Sequence, residues 1–311
     1  SNRTIVAPRD RDPERNLTLI AAGTRLLGLS DKNDVGRLGE RSMKDDIQPH
    51  NAKAATTWNA GGAEYEEISR GIGDSIEHCI RRLGPSPGER ILDVATGTGW
   101  TARRLAERGA QVVGLDLGPA LIDTARSYAA NAGLKIDFRV GDAEALPFPD
   151  GEFDAVISTC GVMFASRPEA AANELARVCK KGGRLALTTW LPDSNVFQMF
   201  MVMKPYMPPP PSPAPPSPFE WGKRERVSEL LGKHFDLGFE VGTSLYRELD
   251  GEAAWRTFSV GYGPTKSLAG SLDEQRRAEL KRDFVAFHDR FKTDLGICVP
   301  RDYLVTVGAR R

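Results

Sequence analysis

The chain reads as an α/β domain: a mostly parallel sheet with helices on both faces. Three observations predict this. Strand-like apolar runs and helix-like segments alternate five times between Ile91 and Trp190, and such alternation implies parallel strands joined by crossover helices. A glycine-rich turn, Ala95-Thr96-Gly97-Thr98-Gly99, directly follows the first strand, where open α/β sheets bring backbone against a ligand. Asp93, Asp116 and Asp142 stand at the tips of three successive strands, the edge at which such sheets bind.

Four stretches follow one another along the chain. Residues 1–42 are read as an N-terminal extension, expected to be poorly ordered or superficially packed. An apolar patch at 17–29 follows several arginines, but Arg25 interrupts it and Asp10, Asp12 and Glu14 dilute the basic part. It is therefore not read as a signal or transit peptide. Residues 43–88 are read as a helical cap. Tyr65, Ile68, Ile72, Ile76, Cys79, Ile80 and Leu83 recur at spacings of three and four, which places them on one face of a helical stretch over 52–83. Gly71 and Gly73 weaken that helix by up to ~1 kcal/mol each, and Gly84-Pro85-Ser86-Pro87-Gly88 ends it.

Residues 89–190 carry the regular alternation. Strand 91–94 passes through the glycine turn into a helix over 100–108, which stops at Gly109. Strand 111–115 ends on Asp116. Pro119 takes a first-turn position that tolerates proline, and helix 120–132 runs to Gly133. Further strands are expected at 135–140, 153–158 and 184–190. The helix opened by Pro168 is expected to reach Lys180-Lys181, whose cations suit a last turn, with Gly182-Gly183 as the left-handed exit.

Residues 191–311 are read as a lid insertion followed by strands that complete the sheet. Residues 205–218, PYMPPPPSPAPPSP, hold nine prolines. They interrupt an α/β domain just after a strand's carboxyl end, so they are read as a stiff lid loop rather than a partner-binding segment. A helix at 223–234, a strand at 239–249, a helical face carrying Leu280, Phe284, Phe287, His288 and Phe291, and a strand at 303–307 close the chain.

Lys plus Arg and Asp plus Glu number 42 each, so no net field favours nucleic acid or an anionic membrane. No run approaches the ~18 apolar residues that span a bilayer. Cys79, Cys160, Cys179 and Cys298 are scattered, as are His50, His78, His234 and His288. That spacing argues against a disulfide framework or a metal site and suits a reducing, cytoplasmic setting. His288, on an apolar helical face, reads as a packed core residue, and His234, near a helix end, as a cap or dipole group. Trp58 and Tyr65 lie at helical spacing, where aromatics usually pack in a core; Tyr65 is the better candidate for touching a ligand.

A dinucleotide turn needs G-x-G-x-x-G with the pyrophosphate resting on the helix amino terminus. Here Ala95 opens the motif, and Ala102 stands where the third glycine should be. Asp93, beside the turn, would repel a phosphate but can accept hydrogen bonds from an ammonium. S-adenosylmethionine has no phosphate and carries an ammonium, a carboxylate and a sulfonium, so it suits an acid-flanked turn. Asp116 can hold both ribose hydroxyls. Asp142 can accept from the adenine amino group while the Ala143 amide donates to a ring nitrogen. Each aspartate alone could be a cap; three at successive tips point to the ligand.

Ile91-Leu92-Asp93-Val94-Ala95-Thr96-Gly97-Thr98-Gly99, Gly114-Leu115-Asp116, Gly141-Asp142-Ala143 with Leu146-Pro147-Phe148, and Phe153-Asp154-Ala155-Val156 together resemble the Rossmann-like, class I S-adenosylmethionine-dependent methyltransferases, over residues 89–190. The phrases D-V-A-T-G-T-G and A-L-P-F-P-D-G-E-F-D are similar to the ubiquinone/menaquinone-biosynthesis C-methyltransferase branch. The resemblance implies a seven-stranded sheet of order 3-2-1-4-5-7-6 with strand seven antiparallel, 239–249 and 303–307 being the last two strands. It implies that Asp93, Ala95, Gly97 and Gly99 form the cofactor loop, with Thr98 nearby. Asp116 would bind ribose, Leu117 would pack on adenine, and Asp142 with Ala143 would read the adenine edge. Thr159 and Cys160 would offer backbone to the methionine ammonium, and Tyr65 would close over the methionyl end. Ala95 replaces the first glycine of the more usual G-x-G-x-G, so the approach there must be slightly wider.

The implied activity is methyl transfer from S-adenosylmethionine, leaving S-adenosylhomocysteine. Displacement at a sulfonium needs alignment and dryness, and a base only if the acceptor must lose a proton; no catalytic residue is assigned. The acceptor pocket is expected between the 52–83 helix, Gly161-Val162-Met163-Phe164, the 191–222 insertion with Trp221, and the 252–291 helices with Tyr262. Those aromatic and aliphatic walls point to a small or medium-sized apolar acceptor, such as a phenolic, quinone-like or polyketide-like metabolite, handled by a monomer or homodimer. Two other readings compete: a non-catalytic S-adenosylmethionine-binding module, and a nicotinamide-dependent oxidoreductase, which Asp93 and the glycine spacing disfavour.

Overall fold

The central strands are apolar nearly end to end, as strands covered on both faces must be. In the computed structural model, which describes residues 47–210, 212 and 214–311, β1 (Arg90–Val94) and β2 (Gln111–Asp116) bury every residue but the first. At the sheet edge β3 (Asp137–Val140) alternates exposed and buried positions instead. β4 (Phe153–Thr159), β5 (Cys179–Trp190), β6 (Phe235–Glu248), β7 (Lys292–Thr293) and β8 (Gly296–Arg310) complete the set. The order is β3-β2-β1-β4-β5-β8-β6. The first five strands pair in parallel, and β8 runs antiparallel between β5 and β6. This is the expected order with one addition, the two-residue β7 folded back on the start of β8. The reading of residues 1–42 falls outside the described residues.

The last two strands are much longer than their sequence signal. They pair without interruption from Phe235↔Arg310 to Glu248↔Ile297, because β6 exposes much of one side and its polar alternation hides the ends. The stretch expected as one helical face over 52–83 is three helices: α1 (Ala52–Asn59), α2 (Tyr65–Arg70) and α3 (Gly73–Leu83). The breaks fall at Gly62, with φ +55°, and at Gly71-Ile72. Only α3 keeps the predicted face, burying Ser75, Ile76, Cys79, Ile80 and Leu83 before a left-handed Gly84 ends it.

The core alternates as expected through α4 (Trp100–Ala106), α5 (Pro119–Asn131) and α6 (Pro168–Val178). One boundary moves. Lys180 and Lys181 lie in β5 rather than in the last turn of α6, and Lys180 pairs with Asp154 at 2.5 Å. The insertion after β5 is more regular than a loop: it holds α7 (Asn195–Met203), with Val196, Met199 and Met203 buried at helical spacing. After the proline stretch come α8 (Arg224–Leu231), α9 (Gly251–Gly261), α10 (Gly263–Ser271) and α11 (Glu274–Asp289). No helix among the described residues is long and apolar enough to cross a membrane.

This topology positions the site. β1 continues to β2 on one side, and β4 continues to β5 on the other. Their carboxyl ends therefore lead chain away in opposite directions, and a crevice opens between them.

Candidate active site

The turn after β1 is built from left-handed residues. Ala95 and Gly97 both have φ +57°, and Gly99 has φ +80°. Thr96 N–H donates to the Leu115 carbonyl, tying the turn to β2. Among the described residues, only Ala95 and Cys160 (φ +54°) are non-glycines in that region of backbone space, at a cost of about 1–2 kcal/mol each. Both line the crevice. A Cβ placed on Gly161 would lie 2.5 Å from the Ala95 methyl, so Gly161 has to stay bare to let Ala95 stand where glycine is usual.

Asp116 closes the end of β2 over this turn. Its Oδ2 accepts from Gly97 N–H at 2.8 Å and its Oδ1 from Gly118 N–H at 2.9 Å, leaving each oxygen a lone pair for a ligand. Burial raises its carboxyl above the usual range. Asp142 accepts from Asn51 Nδ2 at 2.8 Å, Gln48 N–H at 3.1 Å and Glu144 N–H at 2.9 Å, so most of its capacity is already used. Asp93 is fully buried. Its Oδ2 accepts from the Thr96 hydroxyl, its Oδ1 has no partner, and burial pushes its carboxyl up to about 7. Among the described residues, none of these three acids is paired with a Lys, Arg or His within 4.0 Å. Such a set disfavours a pyrophosphate and suits a cationic ligand.

A partly open cleft runs along this edge. Of the predicted residues, Tyr65, Ala95, Gly97, Asp116, Leu117, Asp142, Ala143 and Cys160 line it. Asp93, Thr98, Gly99 and Thr159 stand one layer behind. The Thr98 hydroxyl turns away to Glu66 at 2.6 Å. Gly99 makes room for packing, since a Cβ there would meet the Phe138 ring at 2.8 Å and Ala125 at 3.0 Å. Thr159 Oγ1 is 2.8 Å from Thr101 Oγ1. The Cys160 N–H donates to the Thr188 carbonyl; an ammonium is itself a donor, so of the Cys160 backbone groups only the carbonyl can receive it. Asn51 and Glu144 also line the cleft and were not predicted. Asn51 sits 91 residues before the Asp142 it binds, a separation that leaves no local signal, whereas Glu144 directly follows Asp142-Ala143 and was within reach.

A second cavity adjoins the first and shares Trp58, Tyr65, Cys160 and Phe164 with it. Its other walls include Ile68 and Ile72, Met199 of α7, Phe258 and Tyr262, and Phe287 with His288 of α11. Trp58 stacks edge-to-face on Phe164 (4.8 Å) and Tyr262 (5.6 Å). Of the expected walls, Phe164, the 52–83 stretch, the 191–222 insertion and Tyr262 are present, but Gly161 and Val162 line the first cleft instead, and Met163 and Trp221 line neither. Trp221 is 1% exposed and packs in the core, its carbonyl accepting from the Thr189 hydroxyl at 2.7 Å. His288 is buried as predicted, yet it also borders this cavity. Its Nδ1–H donates to the Phe284 carbonyl at 2.8 Å, which leaves a lone pair on Nε2, and burial lowers its pKa to about 4. His234 lies elsewhere, beyond α8, with Nε2 3.4 Å from Asn173.

The cleft offers no activated nucleophile. Burial pushes the Cys160 thiol up to about 12 and raises Tyr65 and Tyr262 further, so all three are neutral at physiological pH. Among the described residues no group of three His, Cys, Asp or Glu side chains is placed to hold a metal.

Residues 92–187 match the methyltransferase domain family. An uncharacterized protein of Mycobacterium tuberculosis is 34% identical over 251 residues, covering 79% of this chain and 89% of that protein. The demethylmenaquinone methyltransferase of Thermus thermophilus is 48% identical over 106 residues, 33% of this chain and 48% of that enzyme. Among solved structures, a putative methyltransferase from Bacillus halodurans superposes with a TM-score of 0.54 at 20% identity, over 76% of this chain and 98% of its own. The YcgJ protein from Bacillus subtilis gives 0.52 at 20% identity, over 77% and 99%. With the strand order, these likenesses establish the fold and the cofactor class: the chain belongs to the class I, Rossmann-like S-adenosylmethionine-dependent methyltransferases.

Proposed function

We propose that this protein transfers the methyl group of S-adenosylmethionine to a small or medium-sized, largely apolar metabolite by in-line displacement. The observation that carries this reading is the junction of an acid-lined cleft and an aromatic cavity across one shared wall, Trp58, Tyr65, Cys160 and Phe164. When bound, S-adenosylmethionine supplies an electrophilic methyl carbon and a neutral sulfide leaving group, so positioning and exclusion of water matter more than acid–base groups.

Each residue then has a task its geometry suits. Asp116 uses its two remaining lone pairs for the ribose hydroxyls, and Leu117 packs on the adenine. Asp142 and the Ala143 amide meet the adenine edge. Ala95, Gly97 and the Cys160 carbonyl surround the methionyl end, with Tyr65 closing over it. Asp93, Thr98, Gly99 and Thr159 act from behind, holding the turn and the end of β4 in place. Trp58, Phe164 and Tyr262 hold the acceptor and keep water out. His288 Nε2 is the neutral base on the second cavity, which has no Asp or Glu in its wall among the described residues. The helical cap, through Trp58, Tyr65, Ile68 and Ile72, and the insertion after β5, through Asn195, Val196 and Met199, wall the acceptor side.

The test is turnover. Incubation with methyl-labelled S-adenosylmethionine and a panel of phenolic, quinol and polyketide-like acceptors should label at least one apolar acceptor. Labelling confined to very polar small molecules or to macromolecules would count against the reading.

A further inference from the structure

One charged residue of the second cavity, Arg301, takes no part in the methyl-transfer step. Arg301 is central in β8, 8% exposed, in a strand otherwise rich in apolar residues. It lines the cavity with its guanidinium carbon 4.8 Å from the centre of the Tyr246 ring and 5.5 Å from that of Trp190. Both of its hydrogen bonds leave from Nη2, one to the Gly71 carbonyl and a long one, 3.5 Å, to Ser244 Oγ. Nε–H is buried with no acceptor.

No carboxylate among the described residues lies within 4.0 Å of Arg301. The acid nearest along the bonded network is Asp74, which is reached through Ser244: the Ser244 hydroxyl donates to Asp74 Oδ1 at 2.6 Å. Burial lowers the Arg301 pKa to about 10, so the group is still charged at neutral pH. A buried guanidinium with an idle donor and no direct counter-ion is costly unless something completes it. Solvent does not do so for Nε, and the cavity it borders is the place proposed for the acceptor.

We propose that the second cavity selects aromatic acceptors that carry a carboxylate, and that Arg301 is the residue that selects them. This rests on the methyltransferase reading above. The aromatic walls take the ring system, and the positively charged Arg301 guanidinium on the cavity wall takes the anionic end, a charge-assisted contact in a dry site. Asn195, whose Nδ2 is held by the Pro300 carbonyl at 2.8 Å, sits on the same wall.

Calorimetric titration of the S-adenosylhomocysteine-loaded protein with 1-hydroxy-2-naphthoate and with its methyl ester tests this directly. The acid should bind at least tenfold more tightly than the ester. Arg301→Met should shrink that preference to below about threefold while leaving S-adenosylhomocysteine affinity unchanged. Arg301→Lys, which keeps the charge, should retain part of it. Equal affinities for acid and ester, no binding of the acid, or a preference that survives Arg301→Met would each overturn the proposal. The first two outcomes need no variant, so a folding defect in Arg301→Met leaves the test intact. If the unaltered protein failed to bind S-adenosylhomocysteine at all, the cofactor reading and this proposal would fall together; intact binding without acid preference would remove only this proposal.

Discussion

The two adjoining cavities are built in opposite ways. The cofactor cleft takes most of its wall, including the acids Asp116, Asp142 and Glu144, from the carboxyl ends of β1, β2, β3 and β4, each contributing a few near-consecutive residues. The acceptor cavity is mostly aromatic side chains, gathered from helices α1, α2, α7, α9 and α11 and from β8, which lie up to about 240 residues apart in sequence. A ligand shared by a whole family can be met by a local motif on a fixed sheet edge. A ligand particular to one protein is met by long-range packing, which can be changed residue by residue without disturbing the sheet.

Breaking the cleft should have the largest effect. Asp116→Ala removes the proposed ribose acceptor and the two bonds that hold Gly97 and Gly118, and should weaken S-adenosylhomocysteine binding by about 1.5–3 kcal/mol. Calorimetry on the folded variant checks this, and wild-type affinity would refute the ribose assignment. Gly161→Ala tests the contact between the two strained corners. The new methyl meets Ala95 and should cost about 1–3 kcal/mol of stability, measured by denaturant unfolding. Adding Ala95→Gly should recover most of it, and an equally unstable double variant would show that the clash is not the cause.

Acid placement gives a smaller, pH-dependent effect. Burial raises the Asp93 carboxyl from an ordinary 3.8 up to about 7, so the folded protein holds that proton longer than the unfolded chain. The stability this contributes is fully present below about pH 4 and is lost as the pH rises through about 7. The melting temperature of the ligand-free protein should therefore fall between pH 5 and 7.5, and Asp93→Asn should flatten the slope. The binding of a cation has the opposite sign, since S-adenosylmethionine favours the ionised carboxyl and its affinity should drop as the pH falls below 7. A slope unchanged in Asp93→Asn would place the titration elsewhere. Smallest of all, Met199→Ala touches only the acceptor side and should leave S-adenosylhomocysteine affinity within about twofold. A large loss would mean that the two cavities are not separable.

The same contrast explains what could be read from the sequence. Strand order, the glycine turn and the acids at the strand tips are legible because parallel strands are apolar runs and their ligand edge is a fixed place in the chain. Spacing alone did not show that Gly99 also makes room for the Phe138 ring or that the Thr98 hydroxyl donates to Glu66. Asn51 and Arg301 were not legible, since each gains its meaning from a partner or cavity far away in sequence. The Arg301 signal was a lone cation amid the apolar alternation of β8. Trp221 shows the reverse error, an aromatic in the lid that turns into the core. The break at Gly71-Ile72 was hidden because the apolar spacing runs from Ile68 to Ile72 and on to Ile76 across it, and the break at Gly62 lies before that spacing begins.

The sulfonium is proposed to lie at the wall common to both cavities. A crystal structure with S-adenosylhomocysteine tests it most directly. The adenosine is expected between Asp116 and Asp142, with the sulfur beside Tyr65 and Cys160 and facing the second cavity. Adenine in the aromatic cavity, or a sulfur turned away from Trp58 and Phe164, would contradict it.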